Sequence, residues 1–263
     1  MKHGATNSIF NPIAIGALAF GLAAAGPATA QENKTLSLSG SVAGNLTLTT
    51  DYRFRGVSQT FGDPALQGGV DFTLPSNFYV GTWASVVDKE IFANSRGFEW
   101  DIYGGYKWGF ADGWTLDVGY LRYEYPGSNG VPGAFVKPNT DEVYAGVSYG
   151  PATLKYSYGV SEIFGVIDSE GSDYLELTVN YPIMDKLTLN ALVGHQRYAG
   201  TQNGFDNSNF DYTVWKLGAT YDFGNGFTAG GYWKDTDADP QYFTFKGKEW
   251  TKGRAVAFVA WSF

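Results

Sequence analysis

The chain of 263 residues has no cysteine and only two histidines, His3 and His195. The first absence excludes disulfides and thiolate metal sites. The second leaves general-base chemistry almost without imidazole. Long apolar runs are missing too. A helical membrane span needs about 20 predominantly apolar residues, whereas the longest stretch here, Ile13 to Ala25, is shorter and interrupted by Gly16 and Gly21. Positive charge is in deficit, with 18 Lys plus Arg against 26 Asp plus Glu. That balance argues against a nucleic-acid partner, because phosphates need a basic footprint.

What is present points to export. Lys2, the Ala- and Leu-rich stretch that follows and the small residues Ala28-Thr-Ala30 read as a signal peptide over residues 1–30, which leaves a mature chain over 31–263. Losing Lys2 with that leader leaves 17 basic residues against 26 acidic ones, a net charge of −9. Aromatic residues make up 17% of the chain, too many for a disordered acidic polymer. The segment Gly253 to Phe263 alternates, with Val259, Trp261 and Phe263 on one side and Phe258, Ala260 and Ser262 on the other. An aromatic terminus on such a segment fits a barrel strand that finishes at a membrane interface.

Segments of this kind, about ten residues long, recur twelve times. The first is read over Leu46 to Phe54, with Leu46, Leu48, Tyr52 and Phe54 opposite Thr47, Thr49, Asp51, Arg53 and Arg55. In the second, Leu66, Val70 and Phe72 oppose Gln67 and Asp71. The third, Phe78 to Val87, has no clear parity. In the fourth and fifth, Trp100, Ile102 and Trp108 oppose Glu99, Asp101 and Lys107, and Leu116 and Val118 oppose Asp117. The sixth to eighth place Glu142, Lys155 and Glu176 on polar faces, the ninth does the same with Asn190 and Gln196, and the tenth and eleventh with Lys216 and Lys234.

Between the segments, short turn-rich links such as Leu74-Pro-Ser-Asn-Phe78 alternate strictly with long polar stretches at 56–64, 88–97, 126–140, 160–172, 199–209 and 235–252. Bacterial barrels have short periplasmic turns and long outer loops, so both chain ends on one side require an even strand number. The expected fold is therefore all-β: a transmembrane up-and-down antiparallel barrel of about twelve strands in a Gram-negative outer membrane. Trp108, Trp114, Tyr149, Tyr181, Tyr221, Phe223, Phe227 and Phe263 are expected to form the inner aromatic girdle. Tyr52, Phe54, Trp100, Tyr158 and Trp233 are expected in the outer one.

The stretches Asp51-Tyr-Arg-Phe-Arg-Gly-Val-Ser-Gln-Thr60 and Asp63-Pro-Ala-Leu-Gln-Gly-Gly69 carry a further reading, to which Phe78-Tyr-Val-Gly-Thr-Trp83 and Glu142-Val-Tyr-Ala-Gly-Val-Ser-Tyr149 add less. Across most of the mature chain the sequence resembles the TorF-type porins. The resemblance implies a Gram-negative outer-membrane protein of a porin class with no established substrate.

Three functional expectations follow from the residues. The first is a passive channel for small polar solutes or ions, its lumen candidates being Arg53, Arg55, Asp71, Glu99, Asp101, Lys107, Asp117, Glu142, Lys155 and Glu176. Mixed signs leave two states open: hydrated charges around a pore, or paired charges that plug it. The second is an outer-membrane lipid-modifying enzyme, which the residues disfavour, because His195 is the one histidine after the leader and its parity is that of the lipid face. The third is a plugged structural or adhesive barrel whose loops bind a partner. Loops 126–140 and 199–209 read as flexible. Asp235, Asp237 and Asp239 alternate as in a weak calcium loop but lack its Gly and terminal Glu, so an acidic loop is the expectation. No cofactor is expected, since Gly68-Gly69, Gly104-Gly105 and Gly230-Gly231 lie in strands and open no helix. The expected partners are outer-membrane lipid and the solute.

Overall fold

A strand has a side-chain period of two, so a sequence that alternates over ten residues buries one face and offers the other to a second medium. Twelve such strands close on one another here. The structure, a computed structural model, describes residues 40–89, 95–130, 135–202, 204–245 and 247–263. The expected leader over residues 1–30 lies outside the described residues.

The strands are β1 (Ser41–Thr49), β2 (Ala65–Thr73), β3 (Phe78–Val86), β4 (Phe98–Ala111), β5 (Trp114–Glu124) and β6 (Thr140–Tyr149), followed by β7 (Ala152–Gly159), β8 (Asp173–Met184), β9 (Leu187–Arg197), β10 (Tyr212–Gly224), β11 (Phe227–Thr236) and β12 (Arg254–Ser262). Each pairs antiparallel with its neighbour in sequence, and β1 meets β12 to close the barrel, with Leu46 opposite Trp261 and Leu48 opposite Val259. The seam is completed by Gly44 and Phe263, each of whose amides donates to the other's carbonyl, at 2.8 and 3.0 Å. Closure leaves no unpaired edge, which is the condition a sheet must meet in lipid.

The outer wall is apolar and exposed, with Leu48 52%, Leu217 59% and Val259 54% accessible. In water such a band would be a liability; against acyl chains it is the solvent-matched face. Rings collect at the short-turn end: Trp114 stacks on Tyr149 at 4.6 Å, Phe227 lies over Trp261 at 5.8 Å, and Tyr221 and Trp261 pack against Phe223 and Phe263. Trp100, Tyr158 and Trp233 are exposed toward the other end. This is the architecture of an outer-membrane β-barrel, with the long loops on the external side by the rule used above.

One expected strand is corrected. β1 stops at Thr49, and Tyr52 and Phe54 do not continue its lipid face. Residues 51–60 turn into the barrel, where Tyr52 is buried and Phe54 packs edge-to-face on Tyr123 and Phe164. The alternation persists through Phe54 because the lumen there is lined with rings, and an aromatic wall satisfies an apolar side chain as lipid does. The third segment's open parity is also settled: Tyr79, Trp83 and Ser85 point inward and Phe78, Val80 and Val86 outward.

Inward rings are seated in a repeated way. Gly105 stands opposite Tyr79, Gly81 opposite Tyr103, Gly119 opposite Tyr144, Gly218 opposite Tyr232 and Gly230 opposite Phe258. A Cβ on Gly119 would lie 2.6 Å from Cζ of Tyr144, and one on Gly105 2.6 Å from Oη of Tyr79. The missing side chain lets each ring lie along the wall instead of across the bore.

Candidate functional site: the barrel lumen

The lumen divides into two halves along its axis. Near the long loops, residues 51–60 form a hairpin inside the barrel, with Arg53 paired to Ser58 and Phe54 to Val57. Its two central residues, Arg55 and Gly56, both have positive φ, 43° and 93°, the pattern of a tight primed turn. Arginine in that region is strained by about 1–3 kcal/mol and persists where its surroundings over-determine it. They do so here. Arg55 donates to both carboxylate oxygens of Glu142 on β6, at 2.8 and 2.7 Å, and to Gln196 on β9 at 3.0 Å. The guanidinium also lies 4.4 Å from the ring centre of Tyr174 on β8. The pair is buried on both sides.

Arg53 has a different role. Its guanidinium donates to the carbonyls of Gly56, Trp250 and Lys252, tying the hairpin to the last loop. Asp51 accepts from Ser58 at 2.6 Å and Thr60 at 3.1 Å and sits 3.7 Å from Arg53. Tyr52 donates to Glu99 on β4 at 3.0 Å. Asp101, one inward position further along β4, is buried, and among the described residues neither of its carboxylate oxygens has a hydrogen-bond partner. Such a carboxylate is costly, and the two hairpin guanidinium groups of this half are spent elsewhere, Arg55 on Glu142 and Arg53 on backbone carbonyls.

The half nearer the short turns is built differently. Asp71, Lys107, Asp117 and Lys155 are half-buried. Tyr103 donates to Asp71 at 2.8 Å and Tyr79 to Asp117 at 2.6 Å. Lys107, Lys155 and Lys216 lie over the rings of Tyr79, Tyr144 and Tyr232, at 4.9, 4.0 and 5.5 Å. Among the described residues none of the three lysines has a carboxylate within 4.0 Å. Glu176, on β8 between the halves, accepts from Tyr174 and Thr178.

Charge is also sorted around the circumference. Strands β2 to β6 contribute Asp71, Glu99, Asp101, Asp117 and Glu142 with one lysine, Lys107. Strands β7 to β12 contribute Lys155, Lys216, Lys234 and Arg254 to the inner face, with Glu176 and, exposed at the short-turn end, Asp222 as the acids. All ten shortlisted residues thus fall on the inner side, but Arg53 and Arg55 arrive on a hairpin and not on a strand. The parity of Lys216 and Lys234 already places them on that side. Tyr52, Tyr123 and Gln196 gain their role only through the inward turn, which no local pattern announces.

His195 faces outward and contacts Thr213 Oγ1 at 3.2 Å. Asp235, Asp237 and Asp239 do not converge, since their carboxylates accept from the amides of Thr236, Thr213 and Gln241 respectively. In loop 199–209, expected to be flexible, Asn207 donates to the carbonyls of Ile167 and Ala199 at 2.9 and 2.8 Å, and residue 203 lies outside the described residues. The Ser208 amide holds the Asp206 carboxyl below the usual carboxylate range. Loop 126–140 includes residues 131–134, which lie outside the described residues.

A family model described as "Bacterial protein of unknown function (Gcw_chp)" matches residues 34–263. The chain belongs to the Gcw_chp family. The description that decides this membership is not a TorF-type one. No curated protein matches this Gcw_chp sequence. Among solved structures it is similar to the KdgM porin, at 9% identity and a TM-score of 0.52 over 84% of this chain and 99% of that one. It is also similar to the NanC porin, at 11% identity and 0.53 over 85% and 99%. A KdgM porin in complex with disordered oligogalacturonate aligns at 7% identity and 0.51 over 84% and 98%. At such identities the likeness shows that this Gcw_chp member shares the porin fold.

Proposed function

We propose that this chain is a porin-like passive channel for small polar solutes or ions across the outer membrane of a Gram-negative bacterium. The observation that carries the reading is that, among the described residues, the lumenal Lys107, Lys155 and Lys216 have no carboxylate within 4.0 Å, in a bore that also carries carboxylates. Charges left in that state need water around them, and a hydrated bore of both signs is what passive diffusion requires. The TorF-type resemblance and the KdgM and NanC folds support the same class. Oligogalacturonate is bound by the KdgM porin; this chain's bore, with both signs, favours no single solute charge.

Planar-bilayer conductance of the purified, refolded chain, with the reversal potential read in a salt gradient, tests this. Stepwise openings are expected. Silence from a chain that is folded by heat-modifiable gel shift would overturn the reading. A second reading, a plugged structural barrel, draws on the filled outer half, and such silence would favour it.

A further inference from the structure

We propose that the hairpin over Asp51–Thr60 is a detachable plug, latched inside the barrel by Arg55 on Glu142. The inference rests on the channel reading, since a plug matters only where something passes.

Three observations carry it. The hairpin is complete in itself: it has its own two-residue ladder, its own Asp51–Ser58 and Asp51–Thr60 bonds and its own primed turn, so it keeps its shape whether or not it is docked. Its hold on the barrel strands is made by side chains. Arg55 reaches Glu142 and Gln196, Tyr52 reaches Glu99, and Phe54 packs on Tyr123. The backbone bonds of its descending arm go instead to neighbouring loops, from the Ser58 amide to the Trp250 carbonyl and from the Asp88 amide to the Gln59 carbonyl. A segment attached in this manner leaves without opening a strand ladder. Lastly, the strain sits where the latch sits. Arg55 carries both the positive φ of the turn and the side chain clamped on Glu142, so the latch offsets the cost of that turn while the hairpin is docked. Undocking uncovers Glu99, Asp101 and Glu142 to water.

Single-channel recording on the full chain tests the latch. Arg55→Gln is expected to raise the open fraction at least tenfold over the native chain, as is Glu142→Gln. The exchange Arg55→Glu with Glu142→Arg is expected to return it toward the native value. A chain in which Asp51 to Thr60 is shortened to a plain turn should show a larger unit conductance. If the native chain conducts and these variants match it, the latch is overturned while the channel stands. If native and shortened chains are both silent though folded, both readings fall. A measurement on the unaltered protein keeps the test independent of variant folding. Trypsin should cleave after Arg53 or Arg55 faster than the barrel unfolds in the gel-shift assay, and cleavage only in step with barrel unfolding would mean a fixed plug.

Discussion

The two halves of the bore are made from the same residue types and behave oppositely. In the outer half most of the charges are spent: Arg55 on Glu142, Arg53 on loop carbonyls, Asp51 on two hydroxyls, with Asp101 the exception. In the half nearer the short turns, lysines rest on tyrosine rings and the carboxylates of Asp71 and Asp117 accept from tyrosine hydroxyls. What separates the halves is ten residues of loop, not the strands. A lumen can therefore be closed at one level and wet at another with no change in barrel geometry.

The difference is broken most severely at Glu142. Glu142→Ala leaves Arg55 as an unpaired buried cation, a loss of about 3–5 kcal/mol from the docked hairpin. Tryptic cleavage at Arg55 is expected to accelerate by about a hundredfold or more, and an unchanged rate would show that the pair does not hold the outer half. Next in size is Gly119→Ala, where the added methyl meets the Tyr144 ring. A drop of about 1–3 kcal/mol in barrel stability is expected from overpacking, read as a lower temperature for the gel-shift transition, together with a smaller unit conductance as the ring swings inward.

Lys155→Gln sharpens the contrast from the wet side. Its loss of a ring contact changes stability by about 1 kcal/mol at most, yet the reversal potential should move toward cations. That shift should vanish in 1 M salt, where the Debye length is about 3 Å, while trypsin protection of the hairpin persists. Lys137→Ala is the expected blank. Its pairing with Glu124 spans 3.7 Å between half-exposed groups, so stability should stay within about 0.5 kcal/mol and gating should not change.

The barrel was legible because lipid imposes a strict rule. Leu175, Leu177 and Val179 against Glu176 and Thr178 leave one orientation for β8, and the rhythm of short and long links orders the strands. The plug was illegible for the reason that makes it fit. Tyr52 and Phe54 alternate with Arg53 and Arg55 as a strand would, and period two does not distinguish acyl chains from Tyr123 and Phe164. Tyr79 and Trp83 defeat parity in β3 in the same way, because rings face both lipid and bore. Arg53 and Arg55 could be nominated as lumenal from their charge; that Gln196 and Tyr174 would meet Arg55 depends on contacts more than a hundred residues apart.

The glycines opposite inward rings have a consequence for how such a bore is inherited. Each Gly and ring is a two-residue unit on adjacent strands, seated by the register of those two strands. A lineage can therefore widen or narrow the passage one unit at a time, exchanging a ring for a smaller side chain as its glycine gains a methyl, with strand number, register and lipid face left as they were. Calibre in this architecture is a quantity that drift can tune in small steps, long before selection asks for a different solute.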